Sequence, residues 1–229
     1  MKLGKRLSKI ESLVTDEYTH IWDCCCDHGF LGVRLLAENK APQIHFVDIV
    51  PSLMETLEAK LHKFFPKPED AENSEYDVTH SITSEALKST WHVHCMDVAK
   101  LPISQFEGRQ LIIIAGVGGD LTHKLVNEIH QANPKALLDF LLCPVHQQYL
   151  VRQGLRQLDH ELKSECIIEE NRRFYEIILS TNAYSSNKPQ EEVHHVGSRI
   201  WQAASKDEHT SALRYLNKTI AHYERMHRG

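Results

Sequence analysis

His20-Ile21-Trp22-Asp23-Cys24-Cys25-Cys26-Asp27-His28-Gly29-Phe30-Leu31-Gly32 decides how the rest of the chain is read. An apolar run closes on an acid, passes three cysteines, and restarts at Gly32 as the helical stretch Gly32-Val33-Arg34-Leu35-Leu36-Ala37. Strand, tight turn and helix in that order make the first βα unit of an open α/β sheet. Ligands of such sheets bind beyond the carboxyl ends of the strands. Asp23, Asp27, His28 and Gly29 crowd that turn.

The same pattern repeats along the chain. Residues 43–48 form a second apolar run that closes on Asp48, and Pro51 then opens a helix carried by Leu53, Leu57, Leu61 and Phe64. A third run, 91–95, precedes Asp97. Residues 111–115 are the β-branched run of a buried parallel strand. They lead into Gly116-Val117-Gly118-Gly119 and a helix through Leu121, Leu125 and Ile129. Residues 136–143 give a fifth strand, ended by Pro144, and 149–158 the next helix. The alternation then changes. Two strand-like runs, 161–169 and 174–180, flank four residues whose number predicts an antiparallel hairpin.

Both ends of the chain read as helices. Leu3, Leu7, Ile10 and Val14 predict an amphipathic helix before the first strand. Beyond a linker rich in Ser, Asn and Pro, Leu213, Leu216, Ile220 and Tyr223 trace a narrow stripe of the kind that packs on one partner. The expected fold is α/β, a mostly parallel seven-stranded sheet with an antiparallel C-terminal hairpin and a short helical extension. The sheet domain spans 1–182, with an acidic surface insertion over 66–90, and the extension spans 191–229.

Composition narrows the setting. In 229 residues, 25% charged and 41% hydrophobic, the balance is that of a folded domain. No apolar run approaches the roughly 18 residues of a membrane helix. The basic N-terminus lacks the apolar core of a secretion signal, so the expected address is cytoplasmic. Six cysteines, three of them consecutive and the others in apolar segments, suit free buried thiols better than a disulfide framework. A metal at Cys24, Cys26 and His28 is disfavoured, because adjacent strand side chains point to opposite faces and no C-x-x-C pair exists. No metal is expected. The net charge of −5 argues mildly against a nucleic-acid partner, yet it is unevenly spread. The insertion carries six acids against two bases, whereas the stretch from His194 onward carries six bases against three acids.

At the strand ends, Asp48 is placed to accept from two adjacent ribose hydroxyls and Asp97 from an adenine amino group. Gly116, Gly118 and Gly119 allow backbone to approach a ligand closely. Each feature also has a plainer role: an acid at a strand end caps a helix or forms a turn, and a glycine pair permits tight packing. No G-x-G-x-x-G follows the first strand and no G-x-x-x-x-G-K-[ST] loop occurs, so dinucleotides and nucleoside triphosphates lose ground to S-adenosylmethionine.

Five motifs in order carry a family resemblance. They are Lys5-Arg6-Leu7, the turn Asp23-x-x-x-Asp27-His28-x-x-Leu31, Ala115-Gly116-Val117-Gly118-Gly119, Arg152-x-x-Leu155, and Glu169-Glu170-x-x-x-Phe174-Tyr175-Glu176-Ile177. Together, from about residue 3 to 180, the chain resembles the bacterial tRNA (adenine(22)-N1)-methyltransferases. The resemblance implies a Rossmann-like class I methyltransferase domain with a coiled-coil-like helical extension, S-adenosylmethionine as donor, and adenine N1 of a tRNA as acceptor. It implies a donor site of Arg6, Asp23, Cys25, Asp27, His28, Asp48, Asp97, Ala115 and Gly116, with Gly116, Val117, Gly118 and Gly119 on the side of the target base.

Two local departures stand at this site. Cys25 replaces a family glycine, which a cysteine can do where φ is negative. Cys143-Pro144-Val145 replaces Gln-Pro-Asn and removes a polar side chain. The helical extension is also short, and the acidic insertion is additional. Adenine N1 has a lone pair and no proton, so its methylation needs positioning rather than a general base. Lys2, Lys5, Lys9, Arg214, Lys218 and Arg225 are the expected phosphate contacts. Other readings are methylation of another RNA or of a protein and, from a different class, a non-catalytic RNA-binding or scaffold protein.

Overall fold

The computed structural model describes residues 3–67, 89–183, 191–202 and 205–228. Lys2, most of the acidic insertion and the linker at 184–190 therefore lie outside the described residues. α1 (Lys5–Ser12) is followed by β1 (His20–Cys24), α2 (Phe30–Ala37), β2 (Gln43–Asp48) and α3 (Pro51–Phe64). Then come β3 (Thr90–Cys95), β4 (Gln110–Ala115), α4 (Gly119–Ala132), β5 (Leu138–Cys143) and α5 (Gln148–Gln157). β6 (Glu161–Glu170), β7 (Arg173–Thr181) and α6 (Lys206–Arg228) complete the order.

The seven strands lie in the order β3-β2-β1-β4-β5-β7-β6. β3, β2, β1, β4 and β5 are mutually parallel, and β7 runs antiparallel between β5 and β6. This is the expected sheet. Strand order reverses between β1 and β4, so the carboxyl ends of the parallel strands open a crevice there. The hairpin differs in one detail: only Asn171 and Arg172 connect β6 to β7, with φ of 50° and 62°. Two consecutive left-handed residues match the right-handed strand twist as a primed two-residue turn does.

Apolar side chains fill both faces of the sheet. Ile21, Ile44, Phe46 and Ile113 pack with α1, α2 and α3 on one face. Trp22, Ile112, Ile114 and Phe140 pack with α4 and α5 on the other. On that second face runs a row of histidines across β1, β2 and β3. His45 is fully buried, stacks on Trp22 at 3.8 Å, and shares hydrogen bonds of 3.0 Å with His20 and with His94. His92 and His94 of β3 both stack against His45 on this face.

Buried polar groups tie the sheet to the chain around it. Arg152 of α5, 1% exposed, donates to Glu165 at 2.6 Å and to Glu176 at 2.7 and 2.9 Å. Glu165 in turn accepts from the backbone of Ser198 and Arg199, both at 2.6 Å, which fastens the segment leading to α6 onto the hairpin. The two ends of the insertion are anchored side by side: Trp91 Nε1 donates to the Phe65 carbonyl at 2.8 Å, and Ser89 to that of Ala41 at 2.6 Å.

Two expectations need correction. The stripe on α6 is uncovered, with Leu213 47%, Ile220 46% and Tyr223 58% exposed. Only Ala212 of this helix is buried, because α6 meets the body along its first half and then runs past the hairpin turn. Cys95 is exposed rather than buried, since β3 is an edge strand and Cys95 is its last residue.

Candidate functional site

The register brings the critical strand ends level. Cys24 pairs with Val47 and Ile114, Asp48 with Cys95, and Ala115 with Cys143. Between β1 and α2 the chain turns through Cys25, Asp27 and Gly29, all at positive φ (54°, 50° and 69°). Left-handed residues at alternate positions gather backbone N–H groups into a concavity of the kind that receives electronegative groups. Cys25 and Asp27, as non-glycine residues in this region, carry backbone strain. The condition for Cys25 to replace a glycine freely, a negative φ, is not met.

Three carboxylates surround this turn, and each has a structural partner. Asp23 is buried beneath it and accepts from Gly32 N at 2.8 Å. A side chain at Gly32 would collide with Phe46 at 2.4 Å and with the Asp23 carboxylate at 2.9 Å, so helix and strand approach this closely only through glycine. Burial pushes the Asp23 carboxyl up to about 7, with a further push from Asp48. Asp48 accepts from Asp27 N at 3.2 Å and Val50 N at 3.1 Å. Asp97 accepts from Ala99 N at 3.0 Å, the plainer capping role. Burial pushes the Cys25 thiol up to about 11, and Asp48, Asp23 and Asp97 all add to that push, which places the three acids around one point. Burial also raises the Cys24 and Cys26 thiols, so none of the three is a ready thiolate. Asp27 and His28 pair at 2.8 Å on the outside of the turn, 65% and 51% exposed.

Across the crevice, the loop after β4 is held by its own backbone and by its neighbour. Gly116 N donates to the Cys143 carbonyl at 3.1 Å, and Val145 N to that of Val117 at 2.9 Å. A Cβ on Gly119 would lie 2.5 Å from the His146 carbonyl and 2.7 Å from that of Gln147. These are backbone atoms that cannot yield, so the glycine is what lets the loops after β4 and β5 touch. Arg6 reaches over this loop from α1. Its guanidinium sits 5.1 Å from the Tyr175 ring centre, and one terminal nitrogen, Nη1, is buried without a partner among the described residues. That same atom would be 3.3 Å from a Cβ on Gly116. A buried guanidinium nitrogen beside an open glycine has the chemistry to receive an anion.

A scan of protein families matches a model described as "Methyltransferase domain" over residues 3–71 and 69–178. The chain belongs to this methyltransferase family. Solved structures agree on the fold. TrmK of M. capricolum, bound to S-adenosyl-homocysteine, matches at TM-score 0.70 and 19% identity over 99% of this chain and 87% of that one. Streptococcus pneumoniae Sp1610, in complex with S-adenosyl-L-methionine, matches at 0.66 and 18% over 97% and 90%. The B. subtilis M1A22 tRNA methyltransferase TrmK matches at 0.51 and 20% over 80% and 67%. No curated protein sequence matches significantly.

Among the expected phosphate contacts, Lys218 and Arg225 line one groove beside α6. Lys5 and Lys9 line another, together with the acids Glu165, Glu169, Asp207 and Glu208. Arg214 is occupied by a two-pronged pair with Glu169 at 2.6 and 2.8 Å. Sequence reasoning missed His146, and it placed Tyr175 in a motif without giving it a role. His146 lies against Gly118, where a Cβ would meet its ring at 2.7 Å, and so restores a polar side chain near the edge emptied by Cys143 and Val145. Its position just after the strand-ending Cys143-Pro144 was the available signal. Among the described residues no helix is long and apolar enough to cross a membrane.

Proposed function

We propose that the chain is an S-adenosylmethionine-dependent methyltransferase that modifies adenine N1 in tRNA. The single observation that carries this reading is the pairing of the acid-ringed turn after β1 with the Arg6 guanidinium across the crevice, whose Nη1 is buried without a partner among the described residues. Such a donor has a ribose diol, an adenine, an ammonium and a carboxylate, and this edge offers a group for each. Asp48 suits the diol and Asp97 the adenine amino group, while Arg6 suits the carboxylate. Asp23, Asp27 and His28 lie toward the amino-acid end, with Cys25, Ala115 and Gly116 supplying backbone.

When bound, S-adenosylmethionine supplies a methyl group made electrophilic by its sulfonium. The chain's own part is to orient and to exclude water. The loop Gly116-Val117-Gly118-Gly119 fronts the target base, and no residue there has to take a proton, because adenine N1 carries none. N1 belongs to the pairing edge, so the base must be unpaired or flipped out to reach the loop. The acids around the turn favour the positive charge that the methylated ring acquires. The tRNA specificity rests on the sequence motifs and on the fold shared with TrmK proteins. Cytoplasmic tRNA is the corresponding substrate pool.

Incubation with labelled donor and unmodified total tRNA, followed by nucleoside mapping, tests the assignment. Label in 1-methyladenosine is expected. Label confined to another nucleoside or to protein would assign a different acceptor to the same donor site.

A further inference from the structure

A groove of about 880 Å³ opens between α6, the projecting start of β7, the loop after β5 and the segment before α6. That is the upper range of small-ligand pockets, roughly 300–1,000 Å³, and holds more than a single base. Its walls are aromatic. The rings of Tyr149 and His195 stack at 5.3 Å and 20°, and those of Trp201 and Tyr215 at 6.1 Å and 15°. The Phe174 ring centre lies 5.7 Å from that of Tyr215 and 5.6 Å from the Lys218 ammonium. His195 Nδ1 is buried without a partner among the described residues.

We propose that this groove holds unpaired nucleotides of the substrate RNA next to the target base, stacking them on Tyr149 and Tyr223 under the cations Arg173, Lys218 and Arg225. The inference rests on the tRNA reading above and extends it to a site.

Three observations choose this occupant. The first is charge: the three cations are exposed, and the one acid among the described lining residues, Glu176, is already taken by Arg152 and by the Tyr215 hydroxyl at 2.5 Å. The second is continuity with the crevice. His146 lines the groove and also rests on Gly118, while Tyr175 lines it and also carries the Arg6 guanidinium that reaches Gly116. A strand lying in the groove therefore ends at the loop that fronts the target base. The third argues against a second copy of α6 as the occupant. From His209 to Arg228 the helix carries Arg214, Lys218, Arg225 and Arg228 against Glu224, so two copies side by side would confront like charges. A polyanion with flat bases meets both the cations and the rings.

Fluorescence anisotropy with the full chain and an unmodified tRNA transcript tests this. Tyr149 and Tyr223 are 52% and 58% exposed, so their truncation leaves the core closed. The Tyr149→Ala/Tyr223→Ala variant is expected to bind the RNA about tenfold more weakly. The Lys218→Glu/Arg225→Glu variant should lose at least as much and show a shallower salt dependence. Calorimetric titration with S-adenosylmethionine should give the same affinity in all three proteins. Wild-type RNA affinity in both variants overturns the groove while leaving the tRNA reading standing. Absence of RNA binding by the wild type, with donor binding intact, overturns both. Sedimentation as a dimer that Tyr223→Ala converts to monomer would assign the groove to a second copy and overturn the proposal.

Discussion

The Asp48 carboxylate accepts a hydrogen bond from the backbone N–H of Asp27 at 3.2 Å. This bond joins the end of β2 to the turn after β1, the two places where successive strand ends contribute acids. Its other oxygen takes Val50 N at 3.1 Å, so the carboxylate is fixed before any ligand arrives. An acceptor held in place by the backbone loses little entropy on binding, which is what a recognition group for adjacent hydroxyls needs.

The same turn stores strain at Cys25. A side chain at φ 54° costs roughly 1–2 kcal/mol relative to the right-handed region. Cys25→Gly should stabilise the chain by about 1 kcal/mol in urea denaturation, without weakening donor binding. Cys25→Val, which adds a β-branch, should destabilise it. A Gly variant less stable than wild type would show that the thiol's packing outweighs the backbone cost.

The buried Arg152 holds two carboxylates at once. Arg152→Met should cost about 3–5 kcal/mol, because Glu165 and Glu176 are left buried without their cation. Limited proteolysis should cut near Ser198 and Arg199, whose backbone amides Glu165 secures. A loss below about 1 kcal/mol would mean that water replaces the guanidinium there.

Acid stability follows from opposed buried groups. Burial, reinforced by neighbouring histidines, pushes His45 down to about 2 and His160 to about 4, so both stay neutral in the fold. The unfolded chain protonates them below about 6.5, and the stability they support is lost as pH falls, by about 1.4 kcal/mol per unit each. Asp23 acts the other way. With its carboxyl raised to about 7 from an ordinary 3.8, its contribution is full at low pH and fades as pH rises toward 7. Between pH 4 and 6 it offsets the loss from one such histidine, about 1.4 kcal/mol per unit. Asp23→Asn removes the offset and should steepen the loss of stability on acidification by about 1.4 kcal/mol per unit in denaturation series at pH 6, 5 and 4. An unchanged slope would contradict the raised Asp23 carboxyl.

Much of this was legible in the chain because parallel strands buried on both faces write themselves as apolar runs. Leu111 to Ala115 is the clearest, and each acid or glycine closing such a run falls on one edge of the sheet. What escaped depends on geometry that residue type does not encode. The positive φ of Cys25 follows from the turn's closure against Asp48. The exposure of Tyr223 follows from where the hairpin ends, and that of Cys95 from β3 lying at the sheet edge. His146 gains its place because Gly119 lets two loops touch.

The donor assignment is tested most directly by isothermal titration with S-adenosylmethionine of the wild type and of Asp48→Ala. A charge-assisted hydrogen bond is worth roughly 1.5–3 kcal/mol, so the account predicts saturable binding by the wild type and a loss of about 10- to 100-fold in the variant. No heat with the wild type, or equal affinity in the two proteins, would contradict it.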